Sequence, residues 1–157
     1  SGFVQHLSGR LHANGSKENT LRTILFTCLL TALTGSTIAA AAPRDDILGQ
    51  YATAAKAASP AFSGFSAKRG ETLHISKFTG GKPATPSCTT CHGDSPRSAG
   101  RTPSGKSIEP VAVSVSPARY TDPAKVEKWF RRNCTEVLGR ECTPLEKGDW
   151  LTYVISQ

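Results

Sequence analysis

The chain has 157 residues, 19 Lys and Arg against 12 Asp and Glu, and a formal charge of +7. That length suits one domain. It contains five cysteines and no methionine, so any site that needs a methionine thioether is excluded. The basic residues are scattered rather than gathered into a stripe. This argues against nucleic acid as a partner and for a solvated surface, with a docking patch for an acidic redox protein as the alternative.

In chain order, the first feature is an export signal. Lys17 and Arg22 precede an apolar run from Ile24 to Leu33, and small residues follow, ending in Ala39-Ala40-Ala41-Ala42 before Pro43. This is the order of a secretory signal peptide, over about 17–42. The run of about ten apolar residues is too short to span a bilayer, which takes about 20. An ordinary apolar N-terminal helix is the rival reading. Residues 1–16 read as an upstream stretch. The expected division is therefore 1–42, removed, and 43–157, the functional domain, in the periplasm. Residues 43–157 carry sixteen basic and eleven acidic residues, +5 in formal charge.

Helical spacing of Ile47, Leu48, Tyr51, Ala54, Ala55 and Ala58 predicts a first helix that Pro60 ends. A second is expected over about 66–77, with Gly70 and Leu73 at a close helix contact. Thr79–Pro86 is rich in turn formers. Residues 93–117 are rich in Ser, Pro and Gly and read as a long functional loop; alternating Val111, Val113 and Val115 predict a short extended piece. Thr121 or Asp122 can cap the next helix, with Pro123 in its first turn. Val126, Trp129 and Phe130 form its apolar stripe, and Asn133 stands at the next position on it. The last helix is expected from Thr143, with Pro144 first inside and Glu146 completing a capping box. Leu151, Val154 and Ile155 are its buried stripe.

Between these elements lies Cys88-Thr89-Thr90-Cys91-His92. A C-x-x-C-H pentad is the attachment site of a c-type haem: two thiols add to the porphyrin vinyl groups and the histidine reaches the iron. A structural zinc site would need four protein ligands, and a thiol-redox motif would be expected beside a βαβ unit, which the pattern lacks. His92 is the expected proximal ligand, and Pro110 the expected acceptor for its second ring N–H. Without methionine the sixth position falls to His74, Asn133, a lysine, a tyrosine or none. The remaining pair, Cys134 and Cys142, can form a disulfide, as suits an oxidising compartment; two buried thiols are the alternative.

From about Ile47 to the C-terminus the chain resembles the SHP-type cytochromes c, oxygen-binding monohaem proteins. The resemblance is carried by GGKPATPSCTTCHG (80–93), TPSGKSIEP (102–110) and RYTDPAKVEKWFRRNCTEVLGRECTPLEKGD (119–149). It implies an all-α, class I cytochrome c-like fold of about four to five helices around one covalently attached haem c, with a long loop around the haem. It implies that Asn133 is the sixth ligand in the ferric state, released on reduction, and that Cys134 and Cys142 are bonded. It implies binding of O₂, NO or CO. The redox partners implied are a dihaem cytochrome c and a membrane b-type cytochrome. The alternatives are a plain electron carrier whose haem stays six-coordinate through His74 or Asn133, and a gas or redox sensor; enzymatic activity stays open. Two departures stand out. His74 occupies a position where that family usually has an aromatic residue, and Val111-Ala112-Val113 stands where it tends to have Leu-Ala-Pro.

Overall fold

The structure, a computed structural model, describes residues 42–157; the expected signal peptide and the upstream stretch lie outside the described residues, apart from Ala42. Five helices and one minimal hairpin follow in order: α1 (Ala42–Ala58), α2 (Ala67–Ile75), α3 (Thr89–His92), β1 (Gly100–Arg101), β2 (Ser107–Ile108), α4 (Pro123–Leu138) and α5 (Pro144–Ile155). β1 and β2 pair antiparallel, Gly100 opposite Ile108 and Arg101 opposite Ser107. Among the described residues no helix is long and apolar enough to cross a membrane.

α5 is the central strut. Its start is fixed by a capping box: Thr143 accepts from the Glu146 N–H, and the Glu146 carboxylate accepts from the Thr143 N–H. Arg140 pairs with the same carboxylate at 2.7 Å, and this partner, with the Thr143 groups, holds Glu146 below the usual carboxylate range despite partial burial. Leu151, Tyr153 and Val154 are buried; α5 packs on α1 and most extensively on α2. The α2 contact depends on Gly70, where a Cβ would stand 2.1 Å from the Asp149 carbonyl oxygen. Asp149, 3% exposed, accepts from the Ser66 N–H at 2.7 Å and from Arg69 Nε and Nη2 at 2.6 and 2.8 Å. One buried carboxylate thus satisfies the start of α2 and locks it to α5.

Helix α4 begins at Asp122, whose side chain accepts from the Lys125 N–H, and ends at Gly139, left-handed at φ +72°. Its buried line is Val126, Phe130, Cys134, Val137 and Leu138. Trp129, expected on that line, is instead 44% exposed, with the Arg132 guanidinium 5.5 Å over its ring. A stripe read at i, i+3, i+4 admits either neighbour of the true line, and packing against Tyr51 and Trp150 selects Phe130. The alternating valines do not form a strand. Val111 and Ala112 are buried in a turn-rich segment, and Val115 is 46% exposed. The Ala112 N–H bonds Pro96 O and the Val113 N–H bonds Val154 O, partners too irregular for a ladder. The first helix begins five residues earlier than its apolar pattern, with Pro43 in the first turn, where a missing N–H costs nothing.

Replacing Gly70 by Ala forces backbone apart and should destabilise the domain by about 2–3 kcal/mol, measured by denaturant unfolding. Gly49→Ala in α1, where nothing lies within 4 Å, should instead stabilise by about 0.5–1 kcal/mol.

Candidate haem site

Cys88, Cys91 and His92 occupy a single turn, with the Cys91 and His92 N–H groups bonded to the Cys88 carbonyl at 3.2 and 3.0 Å. Gly93, at φ +70°, ends it with its N–H on the Thr89 carbonyl. Before the turn, Ser87 is buried and bonds Thr89 Oγ1 at 2.6 Å. After it, β1 passes so close that a Cβ on Gly100 would lie 2.1 Å from Cys91 O and 2.9 Å from His92 Cα. The turn is therefore held by a side-chain bond on one side and by closely passing backbone on the other.

The groups in it are kept neutral. Burial pushes the Cys88 thiol up to about 11. Burial, and then the Glu136 charge, raises Cys91. Burial, helped by His74 and the Arg119 guanidinium, lowers His92 to about 4. Neither thiol is in a disulfide. His92 Nδ1 is buried without a hydrogen-bond partner, so the expected bond to Pro110 is not formed: the 108–112 segment instead places the Val111 carbonyl on Tyr120 Oη at 2.9 Å. Among the described residues no group of three or more His, Cys, Asp or Glu could hold a metal ion by itself. Two free thiols, a neutral imidazole with an unbonded buried nitrogen, and a backbone cradle fit a covalently attached haem.

The second wall comes from α4. The Lys82 N–H bonds the Glu136 carbonyl at 2.7 Å. Cβ atoms on Gly80 and Gly81 would meet the Leu138 and Glu136 carbonyl oxygens at 2.4 and 2.2 Å, so glycine is what lets the segment before the pentad lie on this helix end. Thr85, also buried, bonds the Glu136 carboxylate at 3.4 Å. Asn133 is one turn before Glu136 and Val137, and i, i+3 and i+4 neighbours share a helix face. Asn133 is thus on the side of α4 whose Glu136 acts on Cys91, and its side chain is exposed. The next residue, Cys134, is disulfide-bonded to Cys142 with a Cα–Cα distance of 5.5 Å.

His74 is 0% exposed. Its Nε2 lies 3.0 Å from the Gly93 carbonyl, which can only accept, and its Nδ1 accepts from Trp150 Nε1 at 3.3 Å. Burial lowers its pKa, so it is the neutral Nε2–H tautomer. Both nitrogens are spent, which leaves none to ligate iron unless a bond breaks. Its ring centroid is 6.5 Å from that of His92 and 6.3 Å from that of Trp150; Trp150 is 5.6 Å from Phe130 on α4. Trp150 and Arg119 were not legible as site residues. Arg119 Nε is buried without a partner while its Nη2 bonds the Glu109 carbonyl at 2.9 Å. Tyr120 beside it has φ +61°, strain for a bulky residue. No spacing rule marks either position.

Comparison with known proteins follows this geometry. Residues 60–154 match the family described as Domain of unknown function (DUF1924). Over 132 residues, 84% of this chain and 98% of the relative, the chain is 47% identical to cytochrome c-type protein SHP of Cereibacter sphaeroides. The chain belongs to the SHP family of c-type cytochromes. Cytochrome c'' of Methylophilus methylotrophus is 30% identical over 114 residues, 72% of this chain and 79% of that protein. Among solved structures, oxidized SHP, an oxygen binding cytochrome c, is 48% identical with TM-score 0.67, covering 73% of this chain and 96% of that one. Oxidized cytochrome c'' is 29% identical with TM-score 0.66, covering 74% and 95%. The fold is the all-α, class I-like fold of these cytochromes, and the cofactor is one covalently bound haem c.

Replacing both Cys88 and Cys91 by Ala should leave a polypeptide from which acidic organic solvent extracts all haem, while either single variant keeps one thioether and stays coloured in denaturing gels. Haem retained by the double variant would contradict the assignment.

Proposed function

We propose that this cytochrome is an exported, periplasmic haem protein. In this reading His92 holds the iron on one side, and Asn133 occupies the other in the ferric state and leaves on reduction, opening the position to O₂ or NO. The observation that carries the reading is the fate of the competing donors. The chain has no methionine, and His74 has both nitrogens bonded to protein. Asn133 is the amide on the α4 face that also carries Glu136, whose charge acts on Cys91. The 47% relationship to SHP, and the oxygen binding stated for oxidized SHP, support it further.

Haem supplies a redox-active iron whose axial positions take nitrogen, oxygen or small gaseous ligands. The residues decide which. A neutral carboxamide oxygen is a hard, weak donor, better matched to the ferric than to the ferrous charge. His92, kept neutral by burial, offers a lone pair in both states. The bond from Cys134 to Cys142 begins at the residue after Asn133 and ties it to the segment leading into α5. Asn133 therefore moves as a side chain on an anchored helix and returns to the same place. The basic surface suits acidic electron-transfer partners, here a dihaem cytochrome c and a membrane b-type cytochrome.

Asn133→Ala tests the assignment. In the ferric protein, imidazole should bind about tenfold more tightly, corresponding to about 1.4 kcal/mol of removed competition. In the reduced protein CO should bind at the original rate, because the amide is already off the iron. Unchanged ferric binding would overturn the role of Asn133.

A further inference from the structure

His74 takes no part in the ligation proposed above, yet it is among the most deeply buried side chains. Its burial is complete and its environment is built rather than incidental. The carbonyl it meets belongs to Gly93, the residue directly after His92, and the donor it accepts is the indole of Trp150 on α5. On the other side of Gly93, its own N–H closes the haem-attachment turn on the Thr89 carbonyl. The Gly93 carbonyl belongs to the next peptide, one Cα beyond the one whose N–H closes the turn, so holding both fixes where the chain leaves His92.

We propose that His74 is a positioning residue for His92: its Nε2–H grips the Gly93 carbonyl, its Nδ1 is held by Trp150, and α2 and α5 together thereby fix the orientation of the His92 ring. The ring stack gives the arrangement little slack. His74 lies 5.7 Å from Tyr153 and 6.3 Å from Trp150, and Trp150 in turn packs edge-on to Tyr120 at 6.0 Å and Phe130 at 5.6 Å. A side chain at 74 that only filled space, such as phenylalanine, would leave the half-buried Gly93 carbonyl and Trp150 N–H without these partners. Such groups are costly to bury unpaired, so the turn and the indole would both shift to find new ones. The two nitrogens have separable roles. Nε2 acts on the attachment turn, and Nδ1 orients His74 itself through α5.

The inference rests on His92 being an axial ligand, and the test separates the two ideas. It uses the intact holoprotein, with the hyperfine-shifted NMR signals of the His92 ring in the ferric state as the readout of its orientation. If the wild-type protein shows no such His92 signals, the axial assignment fails before His74 is tested. Given those signals, His74→Phe should move them. His74→Gln, whose amide can donate where Nε2 does, should restore them towards wild type. His74→Asn, whose amide mimics the Nδ1 position and stops short of Gly93, should not. Trp150→Phe, which removes only the indole donor, should move them less than His74→Phe. If His74→Phe fails to take up haem, the Gln, Asn and Trp150 variants still decide. Unmoved His92 signals in His74→Asn, or equal shifts in His74→Gln and His74→Asn, would reduce His74 to a packing residue and overturn the proposal.

Discussion

The hydrogen bond from the Lys82 N–H to the Glu136 carbonyl is where the two walls of the site are joined. The haem-attachment turn and helix α4 are some 40 residues apart in sequence, and in the proposed arrangement each presents a side chain to the same rigid cofactor. A backbone bond of this kind contributes only about 1 kcal/mol net, too little to hold them alone. Gly80 and Gly81 let further backbone lie against the helix end, where a Cβ would collide with carbonyl oxygens. The Cys134–Cys142 disulfide closes a short loop across the same region, worth roughly 2.5 kcal/mol in the chain-entropy account. The three act together on one helix end, so α4 is best anchored where it must be most precise, one turn beyond Asn133.

The chemistry follows from dryness rather than from charge. Burial is the largest influence on Cys88, Cys91 and His92 alike, and in each it favours the neutral form. Neutral thiols and a neutral imidazole suit attachment and ligation; a protonated imidazole would do neither. Charge enters at the edges, with Glu136 beside Cys91 and Arg119 beside His92.

Much of this was legible because it is local. The pentad, the Asp122 and Thr143 caps, Ile47, Tyr51 and Ala55 of α1 and Leu151 and Val154 of α5 each depend on residues within a turn or two, and local rules read them, whereas Ala54 and Ala58 are exposed and Ile155 is only half-buried. Trp129 and the valines of 111–115 were misread because their fate is set by partners far away: Phe130 wins the inward position through Tyr51 and Trp150, and Val113 bonds Val154 rather than a neighbouring strand. The shared work of His74 and Trp150 could not be read at all, since nothing in either local sequence announces a hydrogen bond spanning 76 residues. Gly70 was readable as a close contact, whereas its partner, the Asp149 backbone, was not. Its place on the α4 stripe made Asn133 one candidate among several, and the resemblance to SHP proteins supplied what spacing could not, its preference over His74, a lysine or a tyrosine.

An absorption spectrum of the holoprotein, reduced without oxygen and then exposed to CO, tests the central claim most directly. A high-spin reduced spectrum that changes sharply on adding CO is the predicted result: His92 alone holds the ferrous iron and Asn133 has left it. A low-spin reduced spectrum indifferent to CO would mean that a second protein ligand stays in place, and the chain would then be a six-coordinate electron carrier.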